Sequence, residues 1–243
     1  MSNIKVQPIA YEIDGVQFEG QLVFNSAIKA ARPALLMAPN WMGVTEGAVE
    51  IARKVAGDDY VVFVADLYGK TVRPTNADEA GAAMMPLKDD RGLLRKRMQG
   101  SLKTLLAQGD KVALDQSKQA TFGFCFGGCC ALELARDGAP LRAAVSFHGT
   151  LDTPTPADAK NIKGSVLVLD GAADPLVPRE QLAEFTKEMT AAKVDWQLVT
   201  YGGAVHSFTD PHANMPGTAQ YDEKTAARAF TAMRNLLDER FAG

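Results

Sequence analysis

The chain has 243 residues, 47% hydrophobic and 23% charged, a balance that supports a packed core and excludes disorder over most of its length. With 26 basic against 29 acidic side chains, the formal charge of -3 gives no field that gathers nucleic acid or an anionic membrane, and no basic run exceeds Arg95-Lys96-Arg97. The opening residues Met1 to Pro8 lack the apolar run of a secretory leader, no stretch approaches a membrane span, and three cysteines, two of them adjacent, make a poor disulfide framework, so the expected setting is reducing and cytoplasmic.

Two alternating segments, Ile9 to Ile13 and Val16 to Phe24, flank Asp14-Gly15, a dipeptide that favours a tight hairpin. After Lys29 the pattern changes to short continuous apolar runs at Ala34 to Ala38, Tyr60 to Ala65, Ala120 to Phe124, Ala143 to Phe147, Val166 to Leu169 and Trp196 to Thr200. Runs of that length without alternation fit strands buried on both faces, as in a parallel sheet covered by helices. A helix is expected from Thr45. Leu182, Phe185 and Met189 repeat at helical spacing, as do Ala226, Phe230, Met233 and Leu237. Thr71 to Arg91, Leu151 to Lys163 and Asp210 to Ala219 read as loops. No repeat or low-complexity tract appears, so the expectation is one α/β domain over residues 1–243 with a mostly parallel central sheet, helices on both faces and an N-terminal antiparallel hairpin.

The chemistry concentrates in Gly123-Phe124-Cys125-Phe126-Gly127-Gly128, placed after an apolar strand and before the small-residue helix that starts with Cys129-Cys130. This is a nucleophile elbow with cysteine at the serine position. The nucleophile occupies a strained turn, so flanking glycines remove side chains that would collide, and the helix N-terminus behind it favours a thiolate. Cys129 and Cys130, inside the apolar helix, read as small core residues.

A thiol nucleophile needs a base, and the base an orienting carboxylate. The chain order in such a fold is nucleophile, acid, histidine, each on a loop after a successive strand. Asp174 follows the strand at Val166 to Leu169, and His206 follows the strand ending near Thr200. Asp170 is a rival acid, although a position still against the sheet more often serves a structural hydrogen bond. His148 precedes the acid and so breaks the order; it reads as a site-wall or core histidine, or a substrate contact. His206 and His212 do not have the spacing of a helical metal pair, and no metal or other cofactor is expected. The backbone N–H of Phe126 and that of Trp41, in the loop after the first parallel strand, are the candidate oxyanion donors.

Together these segments resemble the dienelactone hydrolase family, the cysteine branch of the α/β-hydrolases. The likeness rests on the segments from Ala38 to Val44, Ala65 to Gly69, Gly123 to Gly128, Asp170 to Pro175 and Tyr201 to Phe208. The resemblance implies a Cys-His-Asp triad at Cys125, His206 and Asp174, oxyanion donors at Trp41 and Phe126, and hydrolysis of a small ester or lactone, carboxymethylenebutenolidase-like, through a covalent thioester. Family enzymes carry a glutamate where this chain has Asn40, and an amide has no proton to exchange with the thiol. They also hold a substrate carboxylate with arginines; one of these positions is Asp210 here, and Arg91, Arg95 and Arg97 compete for the other. Asn40, Arg91, Arg95, His148 and Asp210 are therefore candidate substrate contacts.

The expected partner is a small-molecule ester or lactone, with no nucleic acid or membrane, and the chain is read as a monomer or small homo-oligomer. Two other classes were weighed: a thiol redox or peroxide-sensing protein in which Cys129 or Cys130 resolves Cys125, and a non-catalytic member of the fold that binds a ligand.

Overall fold

The computed structural model describes residues 3–242, and the chain divides at Thr121 and Phe122 into two compact units. The first unit opens with the expected hairpin, β1 (Ile4–Ile13) and β2 (Val16–Asn25), paired antiparallel from Ile4 opposite Asn25 to Ile13 opposite Val16. Asp14 and Gly15 have φ of 52° and 77°, the two positive values that a two-residue hairpin turn with the twist of its strands requires. β3 (Arg32–Ala38) and β4 (Val61–Val64) pair in parallel, and β2 pairs antiparallel with β4. The order in this unit is β1-β2-β4-β3, with β5 (Leu114–Phe124) next. Every residue of β4 is buried, as its unbroken Val-Val-Phe-Val run requires.

Three helices belong to this unit: α1 (Glu46–Ala56), α2 (Ala77–Asp89) and α3 (Arg91–Leu106). Each starts on a polar cap whose side chain accepts an otherwise orphaned backbone N–H: Thr45 from Ala48, Asn76 from Glu79 and Asp90 from Leu93. Helix α2 lies within Thr71 to Arg91, where the sequence pattern predicts a loop, and corrects that expectation. Its internal Pro86 and weak apolar face hid a helix that the Asn76 cap and the first-turn acids Asp78 and Glu79 support.

The second unit continues from β5 through α4 (Phe126–Arg136), β6 (Ala143–Phe147), β7 (Ser165–Gly171), α5 (Arg179–Ala191), β8 (Trp196–Tyr201) and α6 (Glu223–Phe241). Its strand order is β5-β6-β7-β8, with β6, β7 and β8 parallel. Among the described residues the sheet has eight strands, mostly parallel, in an α/β-hydrolase-like arrangement. The Leu151 to Lys163 segment is irregular except for one 3₁₀ turn at Pro156–Asn161. Asp210 to Ala219 ends in a short ladder of β9 (Asn214–Met215) and β10 (Ala219–Gln220).

Leu132 on α4, Val166 and Val168 on β7 and Phe185 and Met189 on α5 share one core cluster; burying such a side chain contributes about 1.5–3 kcal/mol each. The ends of α4 and α5 are tied by charge. Arg136, fully buried, donates to both carboxylate oxygens of Glu188 at 2.8 Å, to Glu133 at 3.0 Å and to the Leu151 carbonyl. Among the described residues no helix is long and apolar enough to cross a membrane.

Candidate functional site

β5 ends at Phe124, and the next residue, Cys125, has φ 56° and ψ -121° before α4 begins. A left-handed conformation is costly for a residue with a Cβ, and it lifts the thiol out of the strand-to-helix turn. The turn is closed on both sides: the Cys125 N–H donates to the Phe147 carbonyl at 3.0 Å, and the Cys125 carbonyl accepts the Gly128 N–H at 2.9 Å. A Cβ on Gly128 would sit 2.4 Å from Ser146 Oγ and 3.0 Å from the Gly149 Cα, so glycine there lets the helix lie against β6. The matching glycine, Gly149, escaped sequence reasoning. It carries no motif of its own, and its need for a bare Cα comes from this crossing.

Asp174 lies on the loop after β7. Its Oδ1 accepts the Leu176 N–H at 2.8 Å, and its Oδ2 is 2.8 Å from His206 Nδ1; both residues are buried. The rival Asp170 is occupied by Arg179, which donates to both of its oxygens at 2.7 and 3.0 Å. His206 follows β8 in the chain, its N–H donating to Thr218 and its carbonyl accepting from Gln220. The acid and histidine loops touch as well, through the Ala173 N–H to the Ala204 carbonyl.

Burial alone would lower the imidazole of His206. The hydrogen bond to Asp174, the nearby Cys125 thiol and the charges of both outweigh it and raise the group to about 10. The raised value favours the charged ring, whose Nε2 is buried without a hydrogen-bond partner. A thiol, an imidazolium and a carboxylate in this relation can run nucleophilic acyl transfer with proton return.

The other candidates fall in different places. His148 is buried after β6, with Nε2 2.8 Å from Thr209 Oγ1; Thr209 was not foreseen. Asp210 is half-buried and caps its own turn, accepting the His212 N–H at 2.9 Å. Cys129 and Cys130 are buried in α4, whereas Cys125 is partly accessible. In the first unit Asn40 Oδ1 accepts the Met42 N–H at 3.0 Å, the Asn40 carbonyl accepts the Gly43 N–H, and the Tyr68 hydroxyl donates to the Trp41 carbonyl. Arg91 is buried at the first residue of α3 and Arg95 half-buried. Arg97 is tied to the Leu67 carbonyl and lies over the Phe18 ring. Among the described residues no three His, Cys, Asp or Glu side chains gather as a metal cage.

Comparison with known proteins gives the family and the fold. The sequence pattern of the Dienelactone hydrolase family matches residues 20–241. The solved structure m3DLH is 40% identical, with a TM-score of 0.91 and 98% of each chain covered. A dienelactone hydrolase-like promiscuous phosphotriesterase from metagenomic libraries is 38% identical, with a TM-score of 0.90 and again 98% of both chains. A Bradyrhizobium protein named as a probable 2-oxo-3-(5-oxofuran-2-ylidene)propanoate lactonase is 28% identical over 207 residues, 80% of this chain and 81% of its own.

Proposed function

The chain belongs to the dienelactone hydrolase family, and from that premise we propose that it hydrolyses a small ester or lactone through a thioester formed on Cys125. The observation that carries the reading is the 2.8 Å bond from His206 Nδ1 to Asp174, beside a Cys125 held at positive φ in the strand-to-helix turn.

Cys125 passes its proton to His206 Nε2, and Sγ acts as the thiolate. It attacks the carbonyl carbon, the carbon–oxygen bond to the leaving group breaks, and the leaving oxygen takes the proton from His206 Nε2. The now neutral imidazole accepts a proton from water. The hydroxide attacks the thioester, the carbon–sulfur bond breaks, and thiolate and imidazolium are restored. Asp174 stays ionised throughout and holds Nδ1–H, which keeps Nε2 the working nitrogen.

The oxyanion is assigned to the backbone N–H groups of Phe126 and Trp41. Local geometry supports the second: the Asn40 carbonyl takes the Gly43 N–H inside its turn, so the Trp41 N–H, on the opposite edge of the same trans peptide, faces outward. No step draws on a metal or an organic cofactor.

A panel of small lactones, aryl esters and thioesters tests the reading, with a phosphotriester added because of the activity named for one relative. Turnover is expected in the wild type and absent in Cys125→Ala. A sub-stoichiometric alkylating reagent is expected on Cys125 before the buried Cys129 and Cys130. Ester hydrolysis that survives Cys125→Ala would overturn the assignment.

A further inference from the structure

His148 is buried beside the site, and no step above uses it. Its N–H donates to the Leu169 carbonyl at 2.8 Å, after which the chain turns with φ 39°. Among the described residues, the other non-glycine positions with positive φ are Asp14 and Lys193, in surface turns, and Cys125 and Ser207, at the nucleophile and just after the histidine. Such strain persists only where its surroundings impose it, and it clusters at functional sites. The surroundings of His148 reach both partners of the proposed chemistry. A Cβ on the next residue, Gly149, would lie 2.9 Å from the Cys125 carbonyl oxygen, so the backbone of this turn rests against the elbow. The His148 side chain points to the other partner: Nε2 lies 2.8 Å from the buried Thr209 hydroxyl, and the ring meets those of His206 and Phe208 edge-on, each with centroids 5.0 Å apart.

An imidazole held by one hydrogen bond at Nδ1 can still pivot about that bond. The loop that carries His206 is fastened by its backbone, and His148 supplies a side-chain anchor three residues further on. We propose that His148 is a positioning residue for His206: by bonding Thr209 and meeting the His206 ring edge-on, it keeps Nδ1 on Asp174 and Nε2 turned to Cys125. This rests on the reading of Cys125 and His206 given above. The role needs a neutral His148, because a second imidazolium at that separation would repel the first. Burial, and then the charge on His206, hold His148 well below the usual imidazole range. The groups packed on its other side are the rings of Phe124 and Phe208, which carry no charge.

The full-length chain is assayed with 4-nitrophenyl acetate as probe, in Thr209→Val, Thr209→Ser, His148→Asn and Cys125→Ala. Asparagine tolerates the left-handed backbone of position 148 but does not reach Thr209. In Thr209→Val and His148→Asn, kcat is expected to fall about 10-fold with KM within about twofold. The high-pH limb of kcat/KM, set by loss of the His206 proton, should move about one unit lower. Thr209→Ser, which keeps the hydroxyl, should restore both. A wild-type kcat and an unmoved limb in Thr209→Val would overturn the role, and so would a loss of kcat that serine does not repair. If His148→Asn does not fold, the Thr209 pair decides alone. Cys125→Ala separates the two claims: if it still hydrolyses the ester, the nucleophile reading falls and takes this one with it. If Cys125 is essential but Thr209→Val behaves as wild type, only the positioning role falls.

Discussion

Asp170, near the end of β7, and Asp174, on the loop after it, are four residues apart, and their partners give them different work. Asp170 forms two hydrogen bonds with Arg179, whose side chain is 41% exposed, a pair worth at most about 1 kcal/mol to the fold. Asp174 is buried against an imidazolium. Asp174→Asn should therefore lower kcat by about 10²-fold or more, and Asp170→Asn should leave kcat within a few-fold while trimming stability. Steady-state kinetics on both variants check this, and full activity in Asp174→Asn would move the role to Asp170. Asp210 bears on selectivity. Its half-buried carboxylate lies four residues after His206, so a substrate carboxylate bound there would meet like charge. A lactone's methyl ester is expected to show a higher kcat/KM than the free acid, and Asp210→Arg to reverse the order. A wild-type preference for the free acid would defeat the idea.

At the level of elements, the nucleophile's helix and the helix after the acid loop are coupled through Arg136. Its guanidinium satisfies two carboxylates in a site closed to water. Taking one partner from a buried ion cluster leaves charge unpaired in low dielectric, and Arg136→Met should cost about 3–5 kcal/mol, read as a lower denaturation midpoint. A near-neutral result would show that the buried ion cluster adds nothing net to stability. These elements also show which parts of the fold a sequence makes legible. Strands buried on both faces announce themselves as continuous apolar runs, and the Asp14-Gly15 turn declares its backbone. That Cys125, Asp174 and His206 each sit just past a strand was legible from the apolar runs that precede them. Helix α2 was not, because a proline inside it and a weak apolar stripe outweighed a good cap. Ser146, Gly149 and Thr209 were silent because their roles arise from crossings between segments far apart in sequence, which no local pattern records.

For the molecule as a whole, the two buried histidines act on stability in opposite directions. His206 is raised from 6.5 to about 10 in the folded chain. Its contribution is full below about 6.5 and is lost as pH rises toward 10, because the folded state keeps a proton that the unfolded chain releases. His148 is held well below 6.5. Its contribution is present above 6.5 and is lost as pH falls, because the unfolded chain takes up a proton that the buried ring refuses. Stability should therefore peak near neutral pH and fall on both sides, with a different residue behind each limb. Denaturant midpoints from pH 5 to 10 would resolve it, as a comparison of curve shapes between variants. His148→Asn should flatten the acid limb and move the alkaline one about one unit lower, with the His206 proton it helps to hold, whereas Asp174→Asn, which strips the imidazolium of its carboxylate, should flatten the alkaline limb. If both variants keep the wild-type shape, neither histidine holds its proton state against the unfolded chain. The charged imidazole on which the acyl-transfer reading draws would then lose its support.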